Sequence, residues 1–246
     1  MGRKWQNIKL DKGKSDAQRG ALFTKLSKEI ALAAKGGSPD PESNHRLKMA
    51  VDKARENNMP LDNIKRAIAR GSGGSGEKEI EELRYEGYGP HGVAVIVDSQ
   101  TDNRNRTAGE FRFLFSKHGG TLGETGSVAW MFDSVGILEV DPAGRSEDAL
   151  TEIALVDGVI DLEFEEPVSF IYTETAQVAS VRDALRAAGV AVKDAYLGVR
   201  AKQKVAPEGS QLRDVLAFLE TLEDHEDAAR VFSNLDVTDA AMEALA

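Results

Sequence analysis

Residues 83–132 read LRYEGYGPHGVAVIVDSQTDNRNRTAGEFRFLFSKHGGTLGETGSVAWMF, and the fold follows from how this stretch is parsed. Val93–Val97 is an unbroken apolar run, rich in β-branched residues and bounded by glycine turns. That pattern predicts a strand covered on both faces. Thr101, Asp102 and Asn103 follow it as good N-cap residues, and Ala108, Phe111, Leu114 and Phe115 then recur on one helical face. Gly119-Gly120 closes the helix, and Ser127–Phe132 reads as a returning strand. The middle of the chain is therefore expected to be strand, helix, strand.

The first turn of that helix carries Arg104, Asn105 and Arg106. The positive end of a helix dipole favours Asp or Glu, so two arginines there run against the electrostatic preference. Together with free backbone N–H groups they make a candidate anion site, suited to a phosphate. The alternative is that both arginines pair with carboxylates close in sequence, Asp98 or Asp102, since exposed ion pairs are common.

Four segments carry a family resemblance: TDNRNRT (101–107), LRYEGYGPHGVAV (83–95), FSKHGGTLGETGSVAWMF (115–132) and MPLDNIKRAIARG (59–71). Taken together and in this order, they resemble the YebC family, a widespread bacterial group. Its mitochondrial relatives are called translational activators of cytochrome c oxidase. The similarity covers essentially the whole chain. The opening GRKWQNIKLDKGKSDAQRG is a variant of the family start and lacks the histidine-containing segment that many members place ahead of the KW pair. The resemblance implies a three-domain architecture and a regulatory role, on DNA in transcription or on the ribosome in translation.

The chain has 246 residues and a formal net charge of −10, but the charge is divided. Residues 1–70 carry 16 Lys and Arg against 8 Asp and Glu, a net +8; the remaining 176 carry 15 against 33, a net −18. Such a division marks one part that meets polyanions and another that does not. There are no cysteines, which excludes disulfides, thiolate metal sites and cysteine nucleophiles. No run of 18 apolar residues is present and the basic N-terminus has no signal-peptide core, so a soluble cytoplasmic protein without a membrane span is expected.

From the N-terminus, Arg3, Lys4, Lys9, Lys12 and Lys14 surround Trp5 and Ile8 without periodicity. This reads as an extended arm whose lysines meet a phosphate backbone. Trp5 either stacks on a base or pins the arm to its neighbour. Ser15 and Gln18 form a capping-box pattern opening a first helix with Leu22, Phe23, Leu26 and Ile30 on its face, stopped by Gly36-Gly37. Leu47, Ala50, Val51 and Ala54 mark a second helix ended by Asn57-Asn58. Pro60 opens a third with Leu61, Ile64 and Ile68 on its face and Gly71 at its end. Three short amphipathic helices predict a small bundle. Arg19, Lys25, Lys28, Lys48, Lys53, Arg55, Lys65, Arg66 and Arg70 give it a basic surface, although one charged face is also what a solvated helix shows. GSGGSG at 71–76 reads as a flexible linker that lets the bundle move against the rest. It is not a phosphate loop, since no Gly-Lys-Ser/Thr follows.

Beyond Phe132 the order is strand (136–140), helix (147–156), two strands (159–164 and 168–172), helix (176–188) and strand (195–204). This βαββαβ sequence matches a ferredoxin-like unit. A helix opened by Pro207–Ser210 carries Leu212, Val215, Leu216, Leu219 and Leu222, and a short strand follows near 229–232. The expected architecture is α+β and multidomain: an N-terminal three-helix bundle with its arm and linker (1–76), a central α+β domain (77–132 plus 208–246), and an inserted ferredoxin-like domain (133–207). Net charges of −7 for 133–207 and −8 for 208–246 fit a protein partner better than nucleic acid there.

An enzyme needs a converging acid/base, nucleophile or metal set. His45, His91, His118 and His225 have no metal-ligand spacing, and no hydrolase, zinc-protease or dinucleotide fingerprint is present. The alternative reading is a metal-dependent enzyme acting on a nucleotide or nucleic acid, with Glu86, Asp98, Asp102 and Glu124 meeting around Mg²⁺. The favoured reading is a non-enzymatic binder of DNA or ribosomal RNA without a cofactor. No helix-turn-helix, zinc finger or RNA-recognition motif selects between the two polymers. Shape and backbone contact therefore carry the recognition, which fits structured RNA and an association with the ribosome.

Overall fold

The computed structural model describes residues 16–74, 76 and 78–238. In chain order the elements are α1 (Asp16–Lys35), α2 (His45–Glu56), α3 (Leu61–Gly71), β1 (Glu81–Tyr88), β2 (Ala94–Thr101), α4 (Arg104–Lys117) and β3 (Thr121–Leu122). Then follow β4 (Phe132–Asp141), α5 (Glu147–Ala154), β5 (Val159–Glu163), β6 (Ser169–Thr173), α6 (Val178–Ala187), β7 (Ala191–Ala201), α7 (Gly209–Asp224) and β8 (Ala228–Ser233). The protein is α+β and multidomain. Two compact units are present among the described residues: one runs to Ser127 and includes Asp214–Val231, the other holds Val128–Arg213 and the chain from Phe232.

Helices α1, α2 and α3 enclose a core of Leu26, Ile30, Ala33, Leu47, Ala50, Val51, Ala54, Met59, Ile64 and Ala67. The Asn44 side chain caps α2 by accepting from the Leu47 N–H at 3.1 Å. Leu61, expected on the buried stripe of α3, is instead 54% exposed. It is the first residue after the cap at Pro60, and Ile64 and Ala67 supply the stripe. The Ser15–Gln18 capping box lies outside the residues whose side chains are described.

The first sheet has the order β3-β1-β2-β8. β1 and β2 are antiparallel, with Glu81 opposite Thr101 and Tyr88 opposite Ala94. Val93–Val97 is fully buried, as a strand covered on both faces must be. Phe111 and Phe115 of α4 are buried too, and Phe115 meets Phe218 of α7 edge-on at 4.9 Å. Gly119, at φ +78, ends α4 in the left-handed conformation.

Ser127–Phe132 is not a strand. It forms a turn and a 3₁₀ segment at Ala129–Met131, and the strand starts at Phe132 and runs on into β4. Its apolar content resembles a strand in sequence, but Val128 is buried while Trp130, two residues on, is exposed. The pairing partner of β1 on that side is the two-residue β3, with Gly87 opposite Leu122.

The second sheet has the order β5-β6-β4-β7, the spatial order that a βαββαβ ferredoxin-like unit produces. β4 is antiparallel to both β6 and β7, with a register shift at Glu139/Val140. Leu138, Val140, Leu150, Ile171, Val181 and Leu185 form its core with α5 and α6.

Candidate nucleic-acid interface

The sharpest geometry surrounds the start of α4. Asn103 caps the helix, its side-chain oxygen accepting from the Arg106 N–H at 3.2 Å. The two arginines of this first turn differ. Arg106 donates to the Asp227 carboxylate at 3.1 Å and approaches Asp102 at 3.4 Å. Arg104 is exposed and pairs with no carboxylate among the described residues; its backbone carbonyl accepts from the Tyr85 hydroxyl at 3.2 Å. Asp98, the other sequence-local candidate, is held instead by Arg84 across the β1–β2 pair, Arg84 Nη2 donating to it at 2.9 Å.

Asp227 is the centre of this network. Its carboxylate accepts from Lys28 of α1, from Arg106 and from the Thr107 hydroxyl at 2.6 Å. Burial pushes the Asp227 carboxyl up, but the donors Lys28, Thr107 and Arg106 outweigh it and hold it down at about 2. An anion does sit against the Arg-Asn-Arg turn, and for Arg106 it is the chain's own carboxylate. Asp227 is 121 residues away from Arg106 in sequence, so no local pattern signals it.

The same network fastens the bundle. Lys28 also donates to the Glu226 carbonyl at 2.9 Å, and Lys25 donates to the Glu223 carbonyl near the end of α7, where carbonyls lack helical partners. Arg70 of α3 reaches Asp102 at 3.0 Å and the Lys78 carbonyl at 3.1 Å. The ion pairs Lys28–Asp227 and Arg70–Asp102 thus tie the bundle to the central sheet, across the segment that the sequence reads as a flexible linker. Gly71 itself is the last residue of α3, not linker, and a Cβ there would stand 2.1 Å from the Ala31 carbonyl oxygen.

The remaining residues selected from the sequence are distributed as follows. Arg3, Lys4, Trp5, Lys9, Lys12 and Lys14 lie outside the described residues. Lys53 pairs with Glu29 at 3.2 Å. Arg66 donates to the Asn63 side chain and is exposed, Arg19 is exposed, and Lys65 is exposed with no acidic partner among the described residues. The bundle's basic surface is thus partly consumed internally, by Lys25, Lys28 and Arg70, while Lys65 and Arg66 of α3 face water.

The acidic residues weighed for Mg²⁺ are dispersed into separate contacts. Glu86 is buried and accepts from the Gly126 N–H at 2.9 Å, Asp98 holds Arg84, and Asp102 holds Arg70 and Arg106. The donors that do converge are Glu110, His225 and Asp227. Lys28, Arg106 and Thr107 already fill the Asp227 oxygens, so cationic side chains stand where a metal would have to bind. His225 Nε2 is 3.0 Å from Glu110, and its Nδ1 accepts from the Asp227 N–H at 3.1 Å.

A helical bundle with a basic face, fixed by ion pairs to an α+β sheet and followed by a ferredoxin-like sheet, defines a multidomain α+β protein. The chain belongs to the TACO1/YebC family: the description "TACO1/YebC protein N-terminal domain" matches residues 3–74, and "TACO1/YebC second and third domain" matches residues 80–235. It is 48% identical to the "Probable transcriptional regulatory protein STH1004" of Symbiobacterium thermophilum, over 98% of this chain and all of that one. A "Probable transcriptional regulatory protein" of Desulfitobacterium hafniense is 46% identical over 96% of this chain and 95% of its own length. The crystal structure of a conserved hypothetical protein, Aq1575 from Aquifex aeolicus, superposes with a TM-score of 0.84 at 40% identity, covering 93% of this chain and 95% of that one. The names of the two sequence relatives describe regulatory proteins rather than enzymes. Among the described residues, no helix is long and apolar enough to cross a membrane.

Proposed function

We propose that this protein is a non-enzymatic, cytoplasmic nucleic-acid-binding regulator of gene expression. In this reading the basic N-terminal part, with Arg104 at the start of α4, contacts a phosphate backbone and the rest of the acidic remainder stays clear of it. The observation that carries this is the charge division, +8 over residues 1–70 against −18 over the rest. Lys65 and Arg104, exposed and without carboxylate partners among the described residues, are the contacts best supported, with Arg19, Arg66 and the arm residues beside them. The three-part division at 1–76, 77–132 plus 208–246, and 133–207 belongs to the same proposal. It is supported by the separate core of the helical bundle and by the ferredoxin-like strand order of the second sheet.

Two polymers fit. The absence of a base-reading motif favours structured RNA and a translation factor that travels with ribosomes. The names of the relatives favour a DNA-binding transcriptional regulator. Sedimentation through sucrose and selection against a random duplex library decide between them. Co-migration with ribosomal particles and no preferred duplex is expected. Exclusion from those fractions, with one duplex bound ~10³-fold or more over random sequence, overturns the ribosomal reading in favour of the transcriptional one.

A further inference from the structure

The outward face of α4 carries a feature that the bundle reading does not use. Phe113 is 64% exposed, while Phe111 and Phe115, two residues to either side, are completely buried. Arg112 and Lys117 flank it, both exposed and both without an acidic partner among the described residues. Ser116 and Gly109 complete the face. Gly109 stands one helical turn before Phe113, and a Cβ added there would meet nothing within 4 Å. The nearest acid on the helix, Glu110, is turned to His225 at 3.0 Å. Residues 77–132 hold six Lys and Arg, and four of them, Arg104, Arg106, Arg112 and Lys117, lie on this one helix.

A phenylalanine left in water adds nothing to the core. An uncovered ring with cations on two sides, and with the carboxylate one turn before it, Glu110, engaged by His225, matches what stacks an unpaired base while neighbouring charges hold the backbone. A duplex offers no free base face, so the charge and the ring together select a single strand. We propose that Phe113, Arg112 and Lys117 form a single-stranded nucleic-acid contact on α4. Phe113 stacks on one base, and the two cations take adjacent phosphates. The proposal rests on the nucleic-acid reading above and adds a second contact outside the basic N-terminal part.

The test uses the full-length chain with a fluorescein-labelled, uridine-rich single strand and a duplex of matched length. Phe113→Ala is expected to weaken single-strand binding about tenfold, to leave duplex binding within about twofold, and to leave the melting temperature unchanged. Phe113→Trp should bind the single strand as well as the parent, because a larger π-face is kept. Arg112→Ala and Lys117→Ala should each reduce the salt slope for the single strand by about 0.7. If the parent binds the single strand and Phe113→Ala binds it equally well, or loses both probes equally, the stacking contact is wrong and the nucleic-acid reading survives. If the parent binds neither probe, the nucleic-acid reading falls and takes this contact with it.

Discussion

Lys28 and Asp227 form a buried ion pair between residues 199 positions apart in sequence, with side chains 7% and 0% exposed. Lys28 comes from the helical bundle and Asp227 immediately precedes β8, so this contact is where the basic N-terminal part is fastened. Arg106 and Thr107 complete the shell around the carboxylate, and a buried charge is tolerable only when it is paired and hydrogen-bonded in this way.

Asp227→Asn leaves Lys28 buried without its anion. A loss of about 3–5 kcal/mol in unfolding free energy is expected, read from urea titrations. Lys28→Met should cost less, because Asp227 keeps Arg106 and Thr107 and the methionine stem fills the same space. A wild-type urea midpoint for Asp227→Asn would show that the network contributes nothing to stability.

The acid range provides an independent reading of the same group. The Asp227 carboxyl lies at about 2, below the ordinary 3.8. The unfolded chain therefore binds this proton more readily than the folded one. The stability from Asp227 is fully present above about pH 4 and is lost as the pH falls towards 2, a change of about 2 kcal/mol. Urea midpoints measured across this window should fall for the parent. The gap between parent and Asp227→Asn should narrow as the pH drops; a constant gap would exclude the assignment.

Arg104 and Arg106 share the first turn of α4 with different surroundings, and their alanine variants should separate. Arg106→Ala removes a donor from a buried carboxylate and should lower stability by about 1–3 kcal/mol. Arg104→Ala should melt like the parent but bind nucleic acid with a salt slope smaller by about 0.7–0.9, one phosphate contact. Thermal melts and salt titrations on the two single variants check this. Equal affinity for Arg104→Ala and the parent at every salt concentration would remove Arg104 from the interface.

Gly71→Ala tests how closely α3 approaches α1. The added methyl would stand 2.1 Å from the Ala31 carbonyl oxygen and 2.8 Å from the Ala34 Cβ, and neither is a flexible side-chain end. A loss of about 2–3 kcal/mol is expected from overpacking, against the small gain that Gly→Ala gives in an open helix. If Gly71→Ala matched or exceeded the parent's stability, the helices would be able to separate freely at this point.

The elements most visible in the sequence were those whose own periodicity is complete. Val93–Val97, the Phe111/Phe115 face of α4 and the stripes of α2 and α7 each announce themselves within a dozen residues or so, and the βαββαβ order is the succession of six such segments. β1 was less legible. Its burial runs from exposed at Glu81 to buried at Gly87, because the strand is covered only towards its C-terminal end, so the expected alternation is blurred. Ser127–Phe132 failed for the opposite reason: its apolar residues are real, but Val128 points inward while Trp130 faces solvent in a turn.

The sequence by itself determined the α+β class, the order of elements, the family and the division of charge, because these depend on spacing and composition along the chain. The tertiary structure decided which cations remain available. Lys25, Lys28, Arg70 and Arg106 all look like surface charge in the sequence, yet each meets a carbonyl or carboxylate from a distant segment. Phe113 lies two residues from both Phe111 and Phe115, so the helical period sets it off their face, and the tertiary structure leaves that outward face uncovered. Side-chain partners are chosen by proximity in space, and a contact across 121 or 199 residues leaves no periodicity in the chain that could announce it.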